Sequence, residues 1–259
     1  MKLGRGIGVL AVAASFSCAF AFASSAGAAF PNFSDCPRSA PDIQACFDAQ
    51  STTGSLTIKG FTVPLGTSFE IRGGLVLDAT SPTGNRFVPP VGKTGVFAKP
   101  VEVPGGLLGI DFPIPGNKVT ATAQLAGSPS SILVDPGTLT VRVPLKLALT
   151  NPIIGPGCQI GSNSSPVTLT LIVGTTRPPL PNRPISGRPG TFDFSNPSYV
   201  AVLDNTSVDN SFSVPGASGC GIGLGLINAL VNAKLRLPSA GGNNTIIVTN
   251  NIGIGGLTN

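Results

Sequence analysis

The chain of 259 residues contains no histidine and no tryptophan, and Tyr199 is its only tyrosine. Without histidine, neither a Ser-His-Asp nor a Cys-His catalytic arrangement can be assembled, nor a histidine-ligated metal site. The missing indoles remove the usual stacking platforms for sugars and unpaired bases, so phenylalanine alone remains for that role. Charge is also scarce. Only 10% of residues are charged, against about 25% in an average globular domain. Glu70 and Glu102 are the only glutamates. Ser, Thr, Asn and Gly must therefore carry most of the polar surface, as suits an extracellular β-protein.

The first 28 residues are of a different kind. Lys2 and Arg5 precede an uncharged, mostly apolar run from Ile7 to Ala23, and Ala26-Gly27-Ala28 closes it with small side chains. This is the three-part layout of a secretory signal peptide, with cleavage expected before Ala29. Subtracting Lys2 and Arg5 from the formal charge of +5 leaves +3, too weak a field to indicate nucleic-acid binding. No later stretch reaches the ~18 apolar residues of a membrane helix, so no transmembrane span is expected once the signal is removed.

Cys18 lies inside the signal, which leaves Cys36, Cys46, Cys158 and Cys220. Four cysteines in an exported chain allow three pairings. The economical choice joins Cys36 to Cys46 locally and Cys158 to Cys220 over a long loop. Paired C-x-x-C spacing, as a four-cysteine zinc site would want, is missing. No metal or cofactor is expected.

Three regions follow: the signal at 1–28, a disulfide-closed N-terminal segment at 29–50, and a β-rich domain at 51–259. In the second, Ser39 and Pro41 suit the start of a short helix carrying Ile43, Ala45 and Phe47. From Ser55 the apolar period becomes two. Leu56 and Ile58 alternate with Thr57 and Lys59, and Phe69 and Ile71 with Glu70 and Arg72. Gly73-Gly74 then permits a bulge or bend before Leu75. The clearest strand is Thr138–Thr150, with Leu139, Val141, Val143, Leu145, Leu147 and Leu149 inward and Arg142 and Lys146 outward. Pro144 marks it as an edge or bulged strand. Val119–Leu125 and Val167–Val173 repeat the pattern. Further strands are expected at Thr191–Phe194, Ser198–Leu203, Ser211–Val214 and Thr245–Thr249. The proline-rich run Arg177–Gly190 reads as an extended crossover between strands or sheets, and Leu226–Leu235 as an amphipathic helix ended before Pro238. The fold class is all-β, a single sandwich or partly closed barrel with short helices near both termini.

Motifs with catalytic meaning fall away. Gly92-Lys93-Thr94 lacks the upstream glycine of a phosphate-binding loop, where Phe87 stands instead. Glu70 beside Arg72 suggests a surface ion pair worth little. Asp193, Asp204 and Asp209 are the one group of carboxylates that a hydrolase or a calcium site could draw on. Asp204-Asn205 and Asp209-Asn210, however, read as ordinary turns.

The segment from Asn151 to Gly242 resembles a group of uncharacterised secreted proteins of high-GC Gram-positive bacteria. The likeness is carried by Cys158-Gln159-Ile160-Gly161-Ser162, Pro166-Val167-Thr168-Leu169, Gly174-Thr175-Thr176, Val208-Asp209-Asn210, Val214 through Gly221 and Leu237 through Thr245. Asp35-Cys36-Pro37, Cys46, Val63-Pro64 and Pro104 through Gly109 also fit. The resemblance implies export, a cell-envelope setting and paired cysteines, and it brings no catalytic residue. Asp111–Asn117 is short where the group carries a longer helical insertion.

The expectation is a non-enzymatic exported protein that binds or builds the cell envelope, with a cell-envelope component as partner. The alternative is a carrier of a lipid or other apolar ligand, its Val/Leu/Ile faces lining a cavity instead of a filled core. A carboxylate-based hydrolase ranks third.

Overall fold

The computed structural model describes residues 30–107, 115–221 and 225–257. The signal peptide read at Met1–Ala28 and most of Asp111–Asn117 lie outside the described residues. Within them run fifteen strands: β1 (Ala45–Ile58), β2 (Phe61–Pro64), β3 (Phe69–Leu77), β4 (Asn85–Val88), β5 (Val96–Ala98), β6 (Val101–Glu102), β7 (Thr120–Leu125) and β8 (Leu133–Asp135), then β9 (Thr140–Thr150), β10 (Gln159–Ile160), β11 (Val167–Leu171), β12 (Thr191–Asp193), β13 (Tyr199–Asp209), β14 (Ala217–Ser218) and β15 (Asn244–Gly255). One α-helix, α1 (Leu226–Leu235), precedes β15.

The strands form two antiparallel sheets that do not close into a barrel, an all-β sandwich. The first has the order β12-β13-β15-β1-β3-β4, with β2 on β1 and β5 on β3; the second has β14-β10-β9-β7-β6, with β11 and β8 on β9. β1 and β9 are the long central strands, and each changes neighbours halfway. β1 pairs with β3 through Gln50 and with β2 from Ser55. β9 pairs with β8 and β11 in its first half and with β7 and β10 in its second.

Period-two burial places the core as the sequence suggests. Val141, Val143, Leu145 and Leu149 are buried and Arg142 is exposed. The strand starts at Thr140, because Leu139 adopts a left-handed backbone (φ 52°) in the preceding turn. It is not an edge strand. The Pro144 carbonyl accepts from Ala126 N–H at 2.9 Å, where β7 has just left β9 and β8 has yet to begin. In an antiparallel ladder a residue's N–H and C=O point the same way. The missing N–H of Pro144 therefore faces the junction between two neighbours, where the ladder needs no donor.

Several local readings are corrected. No helix starts at Ser39: residues 37–42 make turns, and β1 runs from Ala45 across Gln50, because sheet pairing with β3 and β15 overrides a short helical signal. Gly73-Gly74 is no bulge, since β3 pairs with β1 without a register shift. These glycines make room instead. A Cβ on Gly73 would lie 2.5 Å from Phe87 Cζ, and one on Gly74 2.7 Å from Ile43 Cδ1. Asp204-Asn205 is no free turn but an irregularity inside β13, which continues to Asp209. Ser211–Val214 forms no strand, only a single bridge from Val214 to Ser239. In α1 only Val231 is buried, and Leu226 and Leu230 face solvent.

The proline-rich run is a crossover, leading from β11 in one sheet to β12 in the other. It is held along its way by bridges between Thr175 and Ser186 and between Arg188 and Thr206. The disulfides are Cys36–Cys46 and Cys158–Cys220. The second joins the start of β10 to the chain leading into α1. There Asn228 Oδ1 accepts from Cys220 N–H at 2.8 Å and Asn232 Oδ1 from Ala217 N–H at 2.7 Å. The two disulfides persist in a non-reducing environment. Among the described residues no helix is long and apolar enough to cross a membrane.

Candidate functional site

The sandwich is filled at one end and hollow at the other. At the filled end Phe47, Ile71, Phe87, Ile132, Val134 and Val143 pack with 2% exposure or less. At the other end an apolar cavity of about 110 Å³ separates the sheets. Leu56, Ile58, Ile246 and Val248 form one wall, Leu145, Leu147, Leu149, Leu169, Ala121 and Ala123 the facing wall. Phe61, Val63 and Leu65 of the β2 hairpin stand at its margin, half-buried. Among the described residues of the lining, Ser68 and Lys99 are the only ones of polar type, and the surface they leave facing the cavity is almost wholly apolar.

The hollow has a sequence cause. β7 presents Ala121 and Ala123 where β9 presents leucines, and two methyl groups cannot fill the space between sheets about 10 Å apart. The alternation at Val119–Leu125 marked this face as inward; the small size of Ala121 and Ala123 was the one available sign of a void. What the sequence could not supply is the contribution of β2, which lies in the same sheet as β15 although some 180 residues separate them along the chain.

The chain crosses between sheets from β5 to β6 at Lys99-Pro100, beside this opening. Lys99 N–H donates to the Ser68 carbonyl at 2.8 Å, which fixes the crossing against the end of the β2–β3 turn. The Lys99 side chain is exposed and, among the described residues, has no ion-pair partner.

A second cluster lies on the outer face of the first sheet. Asp48 is fully buried beneath the N-terminal segment, accepting from Asn32 N–H at 2.6 Å and from Gln50 Nε2 at 2.8 Å. Burial, assisted by the adjacent Glu70 carboxyl, pushes the Asp48 carboxyl up to about 7. Arg72 Nε lies 3.1 Å from Glu70 Oε1 without hydrogen-bond alignment, and its Nη1 lies 2.8 Å from Asp35 Oδ2. Lys93 reaches the other Asp35 oxygen at 2.6 Å, and the Arg72 guanidinium sits 4.0 Å from the Phe97 ring centroid. Glu70 and Arg72 are thus not a free surface pair but part of a largely covered network that fastens the N-terminal segment. The sequence showed their alternation and gave no sign of the cover.

The three aspartates considered for catalysis or calcium are not brought together. Asp193 pairs with Ala201, eight residues along β13 from Asp209, or about 26 Å at 3.3 Å per residue. Asp193 is held low by the Ser195 hydroxyl and N–H. Asp204 occupies the β13 irregularity with φ 56°. Asp209 is buried, accepting from Thr170 N–H at 2.7 Å and from Ser211 N–H and Oγ at 2.9 and 2.8 Å. Its role is to stitch β11 to the end of β13.

No family model, curated protein or solved structure matches this chain.

Proposed function

We propose that the protein is an exported, non-enzymatic binding protein of the cell envelope or its exterior, which carries an apolar ligand between its two sheets. The observation that carries this reading is the apolar cavity at the β2 end of the sandwich, margined by half-buried Phe61, Val63 and Leu65. A closed sandwich fills such space to crystal-like density. Here the other end of the same sandwich is filled in that way. Ligand pockets are concave and mainly apolar, which matches a lining made almost wholly of apolar atoms. Export is supported by the leader and by the two disulfides.

Native mass spectrometry of the purified exported protein tests this. The wild type is expected to retain an apolar small molecule in near one-to-one ratio. Ala123→Phe, which pushes a ring into the cavity, should lose it while keeping its β-sheet circular dichroism. An empty wild type that also fails to take up a fluorescent apolar probe would overturn the carrier reading.

A further inference from the structure

We propose that the ligand is a single unbranched hydrocarbon chain, held by its length and thickness alone, with no selection of the group it carries at the solvent end; this inference rests on the carrier reading. Three observations lead to it. First, among the described residues the lining turns almost no polar atom toward the cavity. A hydroxyl, amide or carboxylate bound there would give up its hydrogen bonds to water and find no replacement, a cost that the surrounding methyl groups do nothing to offset. The part of the ligand inside the cavity is therefore hydrocarbon, and any polar group stays outside.

Second, the cavity is long for its volume. Leu145, Leu147 and Leu149 all line it, so it runs along four residue steps of β9, or about 13 Å at 3.3 Å per residue. Its volume is only about 110 Å³, less than the roughly 150 Å³ that holds one benzene in an engineered core. Such a space is a narrow slot between the sheets. It accepts one chain lying along the strands and leaves no room for fused rings or a second chain. Third, the slot reaches the surface over apolar side chains, the half-buried Phe61, Val63 and Leu65. The end that carries a polar group can leave across this margin into water.

Calorimetric titration of the full exported protein, below the micelle concentration of each probe, reads head, length and thickness separately. Decanoate, decyltrimethylammonium and decyl maltoside share one chain and carry an anionic, a cationic and a neutral head. Their affinities should agree within about fivefold, the most that an exposed charge nearby contributes. Shortening decyl to octyl maltoside should weaken binding by roughly tenfold, from the two methylenes no longer buried. Octanoate should bind, whereas its branched isomer 2-propylpentanoate, with the same carbons in a thicker shape, should not. A preference for one head well beyond that limit refutes the indifference to the head, and equal binding of the two isomers refutes the single chain. If no probe binds while native mass spectrometry finds a retained ligand, the chain itself is refuted. In these three cases the carrier reading stands. If no probe binds and no retained ligand is found, the carrier reading falls with it.

Discussion

The backbone N–H of Asn32 donates to Oδ2 of Asp48 at 2.6 Å, and this contact fixes the N-terminal segment over the outer face of β1. Among the described residues Asp48 Oδ1 has no hydrogen-bond partner, and the carboxyl lies fully buried beside Glu70. A protonated Asp48 relieves the burial of charge and the repulsion between neighbouring carboxyls, which is why its folded-state value rises from 3.8 to about 7.

The sign of the pH dependence follows. Between about 4 and about 7 the folded chain holds a proton on Asp48 that the unfolded chain releases, so the stability from this group is lost as pH rises through that window. The wild type should melt several degrees higher at mildly acidic than at mildly alkaline pH. Asp48→Asn should flatten this slope while keeping the Asn32 contact through its amide oxygen. Scanning calorimetry of both proteins across the window checks it, and parallel slopes would remove Asp48 as the cause. Asp78 and Asp193, both held low by local hydrogen bonds, act only in more acid solution and in the opposite direction.

Val143 and Arg142 are adjacent on β9 and face opposite ways. Val143 has 0% exposure and Arg142 is exposed. Val143→Asp would place a charge without a partner in the core and should cost several kcal/mol, enough to threaten folding. Arg142→Ser should stay within about 0.5 kcal/mol of the wild type. Urea unfolding of the pair reads the register directly, and equal midpoints would contradict it.

The two disulfides should differ in weight. Cys158 and Cys220 are separated by 62 positions, Cys36 and Cys46 by 10. In the chain-entropy account these loops correspond to about 4 and about 3 kcal/mol. Replacing Cys158 and Cys220 together by serine should therefore lower the urea midpoint more than replacing Cys36 and Cys46, and should also release α1, whose Asn228 depends on the Cys220 N–H. A larger loss from the short loop would show that its role in anchoring the N-terminal segment outweighs the entropy term.

Gly73→Ala offers a sharp steric test. The added methyl would meet both the Phe87 ring and the Val88 carbonyl at 2.5 Å, and the latter belongs to a paired strand that cannot yield. A loss of about 1–3 kcal/mol is expected. Gly84→Ala, whose Cβ would meet nothing within 4 Å but whose φ is 70°, should lose stability through backbone strain alone. Thermal melts of the two with Phe87→Leu added separate the causes, because only the Gly73 variant should be partly rescued.

Much of this molecule was legible in its residues, and the reason is periodicity. Where one face of a strand is buried, side chains alternate with period two, so Val141, Val143, Leu145 and Leu149 declared both the strand and its inner face. Cysteine parity and loop economy gave the pairing, and the proline run Arg177–Gly190 declared a crossover because it can neither donate to a ladder nor coil into a helix. What a one-dimensional pattern does not carry is which faces meet. Gly73 resembled a bulge until Phe87 was seen resting on it, and Glu70 and Arg72 resembled a surface pair until the segment through Asn32 was found to cover them. Ser39 resembled a helix cap, but a one-turn helix cannot compete with the long-range ladder of β1. The cavity depends most on tertiary structure. Ala121 and Ala123 are small in any fold, but they make a hollow only because Leu56, Ile246 and the β2 hairpin stand opposite, brought there by strand pairings that span most of the chain.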